Sequence, residues 1–206
     1  TQPLNFDTSK VTSLDGMFYN ASAFNQELNF DTSKVTSMNS MFGYAESFNQ
    51  PLIFDTSNVT SMKEMFYNAR VFNQKLNFIT SNVTNMKLMF CNAEKFNQEL
   101  NFDTSNVTSM ISMFSYAKSF NQPLNFDTSS VTNMDYMFEK TKAFLDKYNS
   151  SKPLPNYTNE IKDWLNDNRD RMNEIDIKDK HGEDIDDFFS NITDIYSTNR
   201  IGLHEN

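Results

Sequence analysis

Residues 26–49 read Q-E-L-N-F-D-T-S-K-V-T-S-M-N-S-M-F-G-Y-A-E-S-F-N. The same frame returns at Gln2, Gln50, Gln74, Gln98 and Gln122, always at a spacing of 24 residues. Six units therefore follow one another without insertion, each close to Q-x-L-N-F-D-T-S-x-V-T-x-M-x-x-M-F-x-x-A-x-x-F-N. A fixed period of this length marks a repeat architecture, in which each unit packs mainly on its neighbours.

Eighteen of the 20 Phe fall in three columns, headed by Phe6, Phe18 and Phe24. Eleven of the 12 Met fill two more, with Leu14 substituting once. Leu4 and Val11 head two further apolar columns. Burying about eight apolar side chains per unit gains on the order of 10–20 kcal/mol, at about 1.5–3 kcal/mol each. Ordering the backbone of one unit costs more, at roughly 1–2 kcal/mol per residue. A single unit cannot fold alone, whereas stacked units share a core. The predicted class is a repeat solenoid.

Within a unit, Leu4 and Phe6 alternate with Asn5, the period of a short strand. Asp7-Thr8-Ser9 reads as a corner, because Asp and Ser bond nearby backbone amides. Val11 to Leu14 alternates again and predicts a second short strand, parallel to its copies. Met17, Phe18 and Ala21, spaced by about three and four, predict a short helical or 3₁₀ turn.

The exposed columns carry the candidate site. Asn5, Asn29, Asn77, Asn101 and Asn125 lie between two inward residues and should face out, with Ile53 as the exception. The neighbouring column holds Pro3, Glu27, Pro51, Lys75, Glu99 and Pro123. Asn5, Asn29, Asn77, Asn101, Asn125, Glu27, Lys75 and Glu99 form the predicted contact strip.

Other columns favour structure over chemistry. The Asp column (Asp7, Asp31, Asp55, Asp103, Asp127) supplies one carboxylate per unit and is broken by Ile79. It suits a corner better than a calcium ladder, so no metal is predicted. The Asn column headed by Asn25 should bond turn backbone. Two Thr columns, headed by Thr8 and Thr12, suggest β-propensity first and an ice-binding rank as a minor alternative. Met beside Phe fits sulfur–aromatic packing better than a soft metal site. No nucleophile–base set, zinc spacing or phosphate loop can be assembled, so neither an enzyme nor a cofactor is predicted. Cys91 is the only cysteine, which excludes an intrachain disulfide. Asn-x-Ser/Thr sequons, Asn58 among them, follow from Asn-rich repeats.

The run V-T-x-M-x-x-M-F-x-x-A-x-x-F-N-Q, as in residues 35–50, resembles the repeat of BspA-like surface proteins and related mycoplasma-type lipoproteins. These repeats are described as leucine-rich-repeat-like. The resemblance covers roughly 70% of the chain. Its usual unit has Trp where this chain has Phe6 and its equivalents. The resemblance implies a leucine-rich-repeat-like solenoid and a protein-binding or adhesion role at a cell surface or in a secreted protein. The partner would be a protein or a surface glycan. The alternative is a structural or assembly subunit, of a surface layer or a virion, in which the rod packs against its neighbours and can self-assemble; similar arrays also occur in large DNA viruses and algae.

The array is expected to span residues 1–144, and residues 145–206 to form an acidic, mainly helical cap or module. Residues 159–175 and 185–196 show helical apolar patterns. The segment 145–206 carries 14 acidic and 8 basic residues, net -6, against -9 for the whole chain. This balance disfavours nucleic acid, whose phosphates select for Lys and Arg. An EF-hand fails because Gly182 at the sixth position would put Ile177 at the first. No run of 18 apolar residues encodes a membrane span. Thr1 stands where Asn closes later units, which is consistent with a further unit upstream.

Overall fold

The computed structural model describes residue 4 and residues 6–150. The chain divides into two compact bodies, Thr1–Asp167 and Asn168–Asn206, and every described residue belongs to the first. The segments expected to be helical at 159–175 and 185–196, with His181 and His204, lie outside the described residues. So does Asn5.

Neighbouring units lie side by side in a register of 24 residues. Single-residue parallel bridges join Ser13 to Ser37, Ser37 to Ser61, Ser61 to Asn85, Asn85 to Ser109, and Ser109 to Asn133. The units beginning at Gln26 and Gln50 show the recurring pattern. Thr60 N donates to Thr36 O, while Met38, Ser40, Phe42 and Tyr44 N donate to Ser61, Lys63, Met65 and Tyr67 O.

The sequence predicts two short strands and a helical turn per unit. The described units contain isolated bridges and consecutive tight turns instead. Alternate amides explain the difference. Gly16, Phe18 and Asn20 N reach into the next unit, at Asn39, Met41 and Gly43 O. The intervening amides fold back locally, with Met17 N on Leu14 O, Tyr19 N on Gly16 O and Ala21 N on Phe18 O. A helix would bond every amide internally and leave none for the neighbour. A strand would bend too little to carry the three turns.

The bending requires left-handed backbone at two places per unit. Gly16 has φ +62° and Asn20 φ +60°. Their equivalents are also left-handed, among them Glu64 (59°), Asn68 (56°), Leu88 (57°) and Asn92 (56°). Each is the third residue of a turn, where positive φ is the type II requirement. A non-Gly residue there costs about 1–2 kcal/mol. Its own amide bonds the next unit, as Leu88 N does to Ile111 O at 2.8 Å. A net gain of about 1 kcal/mol per hydrogen bond offsets most of that strain. Regular stacking thus holds a conformation that an isolated unit could not.

The core is a set of aromatic files. Phe42 and Phe48 stack within one unit at 4.1 Å between centroids, and Phe42 stacks on Phe66 at 5.6 Å. Phe66–Phe72, Phe90–Phe96 and Phe114–Phe120 repeat the pair at 4.1, 4.1 and 4.2 Å. Val59, Met62, Met65 and Ala69 complete each layer, all fully buried. The first unit lacks a neighbour on one side among the described residues. There Phe6 is 57% exposed, whereas Phe30 is 7% exposed.

At the other end, α1 spans Lys142–Ser150. The expected boundary at 144/145 falls inside this helix, because Phe144 belongs to both patterns. It stacks on Phe138 at 4.2 Å and Phe120 at 6.1 Å while lying in the first turn of α1. Thr141, standing where Ala is usual, donates its hydroxyl to Phe114 O at 2.6 Å. Lys147 Nζ donates to Asn121 O at 2.8 Å. In earlier units a Gln side chain makes the matching bond, as Gln122 does to Asn97 O.

Candidate interaction surface

The recurring polar side chains sort by what they bond. The column headed by Thr8 is buried, and the hydroxyls of Thr32, Thr56, Thr80 and Thr104 donate to the next unit's backbone, as Thr32 Oγ1 does to Asp55 O at 2.9 Å. The column headed by Thr12 is exposed, but its hydroxyls bond the preceding unit, as Thr60 Oγ1 does to Thr36 O at 3.2 Å. The Asn25 column makes the turn-backbone bonds expected of it. Asn73 N donates to Asn49 Oδ1 at 2.9 Å, and Gln74 Nε2 donates to the same oxygen at 3.2 Å. The sequon residues Asn58, Asn82 and Asn106 donate Nδ2 to Ser33, Ser57 and Ser81 O.

The Asp column forms corners. Asp31 Oδ1 accepts from Ser33 Oγ at 2.7 Å and Ser33 N at 3.0 Å. These bonds, the hydroxyl's first, hold its carboxyl below the usual 3.8. Asp7, Asp55, Asp103 and Asp127 are lowered in the same way by Ser9, Ser57, Ser105 and Ser129. Among the described residues, no three His, Cys, Asp or Glu side chains gather closely enough to hold a metal ion. Cys91 is fully buried beside Ser115.

The predicted strip contrasts with these columns. Asn29, Asn77, Asn101, Asn125, Glu27, Lys75 and Glu99 are all exposed. Within the described residues, none of their side chains makes a hydrogen bond or ion pair. The ion pairs lie in other columns, as between Lys118 and Glu94 at 3.0 Å. The strip is therefore a set of groups whose hydrogen-bonding capacity the stack leaves to solvent or a partner.

Two outward apolar residues fall outside the predicted set, and only the first of them lies in a column of the strip. Ile53 stands in the Asn column and is 90% exposed; Ile79 stands in the Asp column and is 54% exposed. Both are visible in the sequence as breaks in a polar column. Their apolar exposure was the available signal, since the columns they interrupt face out. Elsewhere, a shallow cleft on the edge of the first unit is lined by Phe6, Val11, Leu14 and Met17. Among the described residues no helix is long and apolar enough to cross a membrane.

The family model described as "Mycoplasma protein of unknown function, DUF285" matches residues 2–79 and 76–175. Neither the search of curated proteins nor that of solved structures gave a match.

Proposed function

The chain belongs to the DUF285 family of Mycoplasma proteins of unknown function, and on that premise we propose that it is a non-enzymatic solenoid that binds a protein or surface glycan. Its setting in this reading is a cell surface or a secreted protein, with adhesion as the outcome. The observation that carries the reading is the contrast between polar columns. The Thr and Asn25-type columns bond neighbouring units and the Asp column bonds its own corner, while the polar side chains of the strip from Glu27 to Asn125 are exposed and unengaged. Regular stacking supplies a rigid frame, and rigid presentation lowers the ordering cost of binding.

The test is a binding screen of the intact chain against arrayed surface proteins and glycans. Saturable binding without turnover is expected, weakened by the triple substitution E27K/K75E/E99K. Binding that survives this substitution unchanged rules out the strip, and an absence of saturable ligands counts against the function.

A structural or assembly subunit, including a virion component, is the second reading. Light scattering that shows concentration-dependent growth of the isolated chain supports this reading over the first. The ice-binding alternative is weakened by burial of the Thr8-type column, which leaves one exposed Thr rank in place of two.

A further inference from the structure

Ile53 and Ile79 occupy neighbouring units and outward positions two residues apart in the repeat frame. The two units that carry them are spaced by 5.6 Å at Phe66 and Phe90 and by 6.1 Å at Phe72 and Phe96. Two residues of extended chain add roughly 6–7 Å, which puts the two side chains roughly 9 Å apart on one face. One large apolar side chain from a partner can touch both. No other unit places an aliphatic residue at either position.

The surroundings of the pair are acidic. Asp55 lies two residues from Ile53 and is the counterpart of Ile79 in the adjacent unit. Asp31 and Asp103 continue the column on either side, and all three are exposed. The basic residues near them are Lys75 in the strip and Lys34 beside Asp31. An exposed apolar pair with a column of carboxylates along one side selects a complementary surface, since charge beside an anchor steers and registers the partner.

We infer that Ile53 and Ile79 form the apolar anchor point of a docking surface for a protein segment that presents an aliphatic or aromatic side chain flanked by Lys or Arg. This rests on the reading of the chain as a binding solenoid and names the partner's chemistry.

The test uses the intact chain and the double substitution I53N/I79D. Asn and Asp occupy these positions in the other units, so the variant restores the common repeat and leaves the fold intact. Equal urea midpoints for the two proteins check this. A displayed library of randomised peptides is selected on the wild-type chain. Enriched peptides are expected to combine a large apolar residue with flanking basic residues, and to bind I53N/I79D at least about tenfold more weakly. Peptides that bind both proteins equally overturn the anchor but leave the binding solenoid standing. Enrichment of acidic peptides overturns the charge argument. Dimerisation of the wild type that I53N/I79D abolishes assigns the patch to a second copy, and also overturns the inference. A library that yields no specific binder counts against the anchor and the binding function together.

Discussion

The backbone amide of Asn73 donates to Oδ1 of Asn49 at 2.9 Å, across the boundary between two units. Asn73 Oδ1 in turn accepts from Asn97 N at 2.9 Å and Gln98 Nε2 at 3.1 Å. One half-buried amide oxygen thus serves two donors of the next unit. N73A would leave the Asn97 amide without this acceptor and should destabilise by about 1–3 kcal/mol. N73D keeps the acceptor and should cost less. Urea midpoints at constant slope report both. Equal midpoints for N73A and wild type would remove the ladder from the account of stability.

Position in the aromatic file should decide the cost of losing a ring. Phe66 is fully buried between Phe42 and Phe90, at 5.6 Å from each. F66A should destabilise by about 3–5 kcal/mol. F6A, at a site 57% exposed, should cost about 1 kcal/mol or less, since little of its area leaves water on folding. Thermal unfolding of the two variants side by side separates them, and a similar loss in both would contradict the layered core.

Left-handed backbone at Asn20 (φ 60°) makes a distinct prediction. N20G removes the steric conflict and should be neutral within about 1 kcal/mol. N20V places a β-branched side chain where Cβ is crowded, and should cost about 1–2 kcal/mol or more. Far-UV circular dichroism during a urea titration measures the difference. Equal stability of the two would show that the turn relaxes.

The Asp–Ser corners predict acid sensitivity. Asp7, Asp31, Asp55, Asp103 and Asp127 are each held below the usual 3.8 by hydrogen bonds from the following Ser. A carboxyl depressed in the folded state stabilises it above the unfolded value and loses that contribution as pH falls through the folded value. The melting temperature should therefore drop below about pH 4. Replacing all five Asp by Asn keeps an acceptor for the Ser amide and should flatten the profile. An equally steep profile in that variant would place the sensitivity elsewhere.

Cys91 should be silent toward thiol reagents in the native protein. Burial, followed by the Glu139 carboxylate, pushes its thiol well above the usual 9.0, and the side chain is fully inaccessible. Only the thiolate reacts readily. Labelling should follow the unfolding rate as urea is raised. Rapid labelling in native buffer would show that this layer opens.

The repeat frame, the apolar columns and the outward strip were legible in the sequence, because side-chain identity recurs with position and water sorts it by polarity. Val59, Met62, Phe66 and Phe72 are buried in the columns where periodicity puts them, and Asn29 and Lys75 are exposed where alternation points outward. The backbone path was not legible in the same way. Met17, Phe18 and Ala21 have helical spacing, yet their amides alternate between local turns and the unit beyond. Nor did residue type reveal left-handed backbone at Leu88 or Tyr116 (φ 58°), since neither residue favours it. Local preference is worth about 1 kcal/mol per residue, and the bonds from the adjacent unit are worth about as much. The sequence by itself determined which side chains share a layer and which face water. Only the tertiary structure decided how the chain bends between them, because that choice belongs to the hydrogen bonds a unit makes with its neighbours.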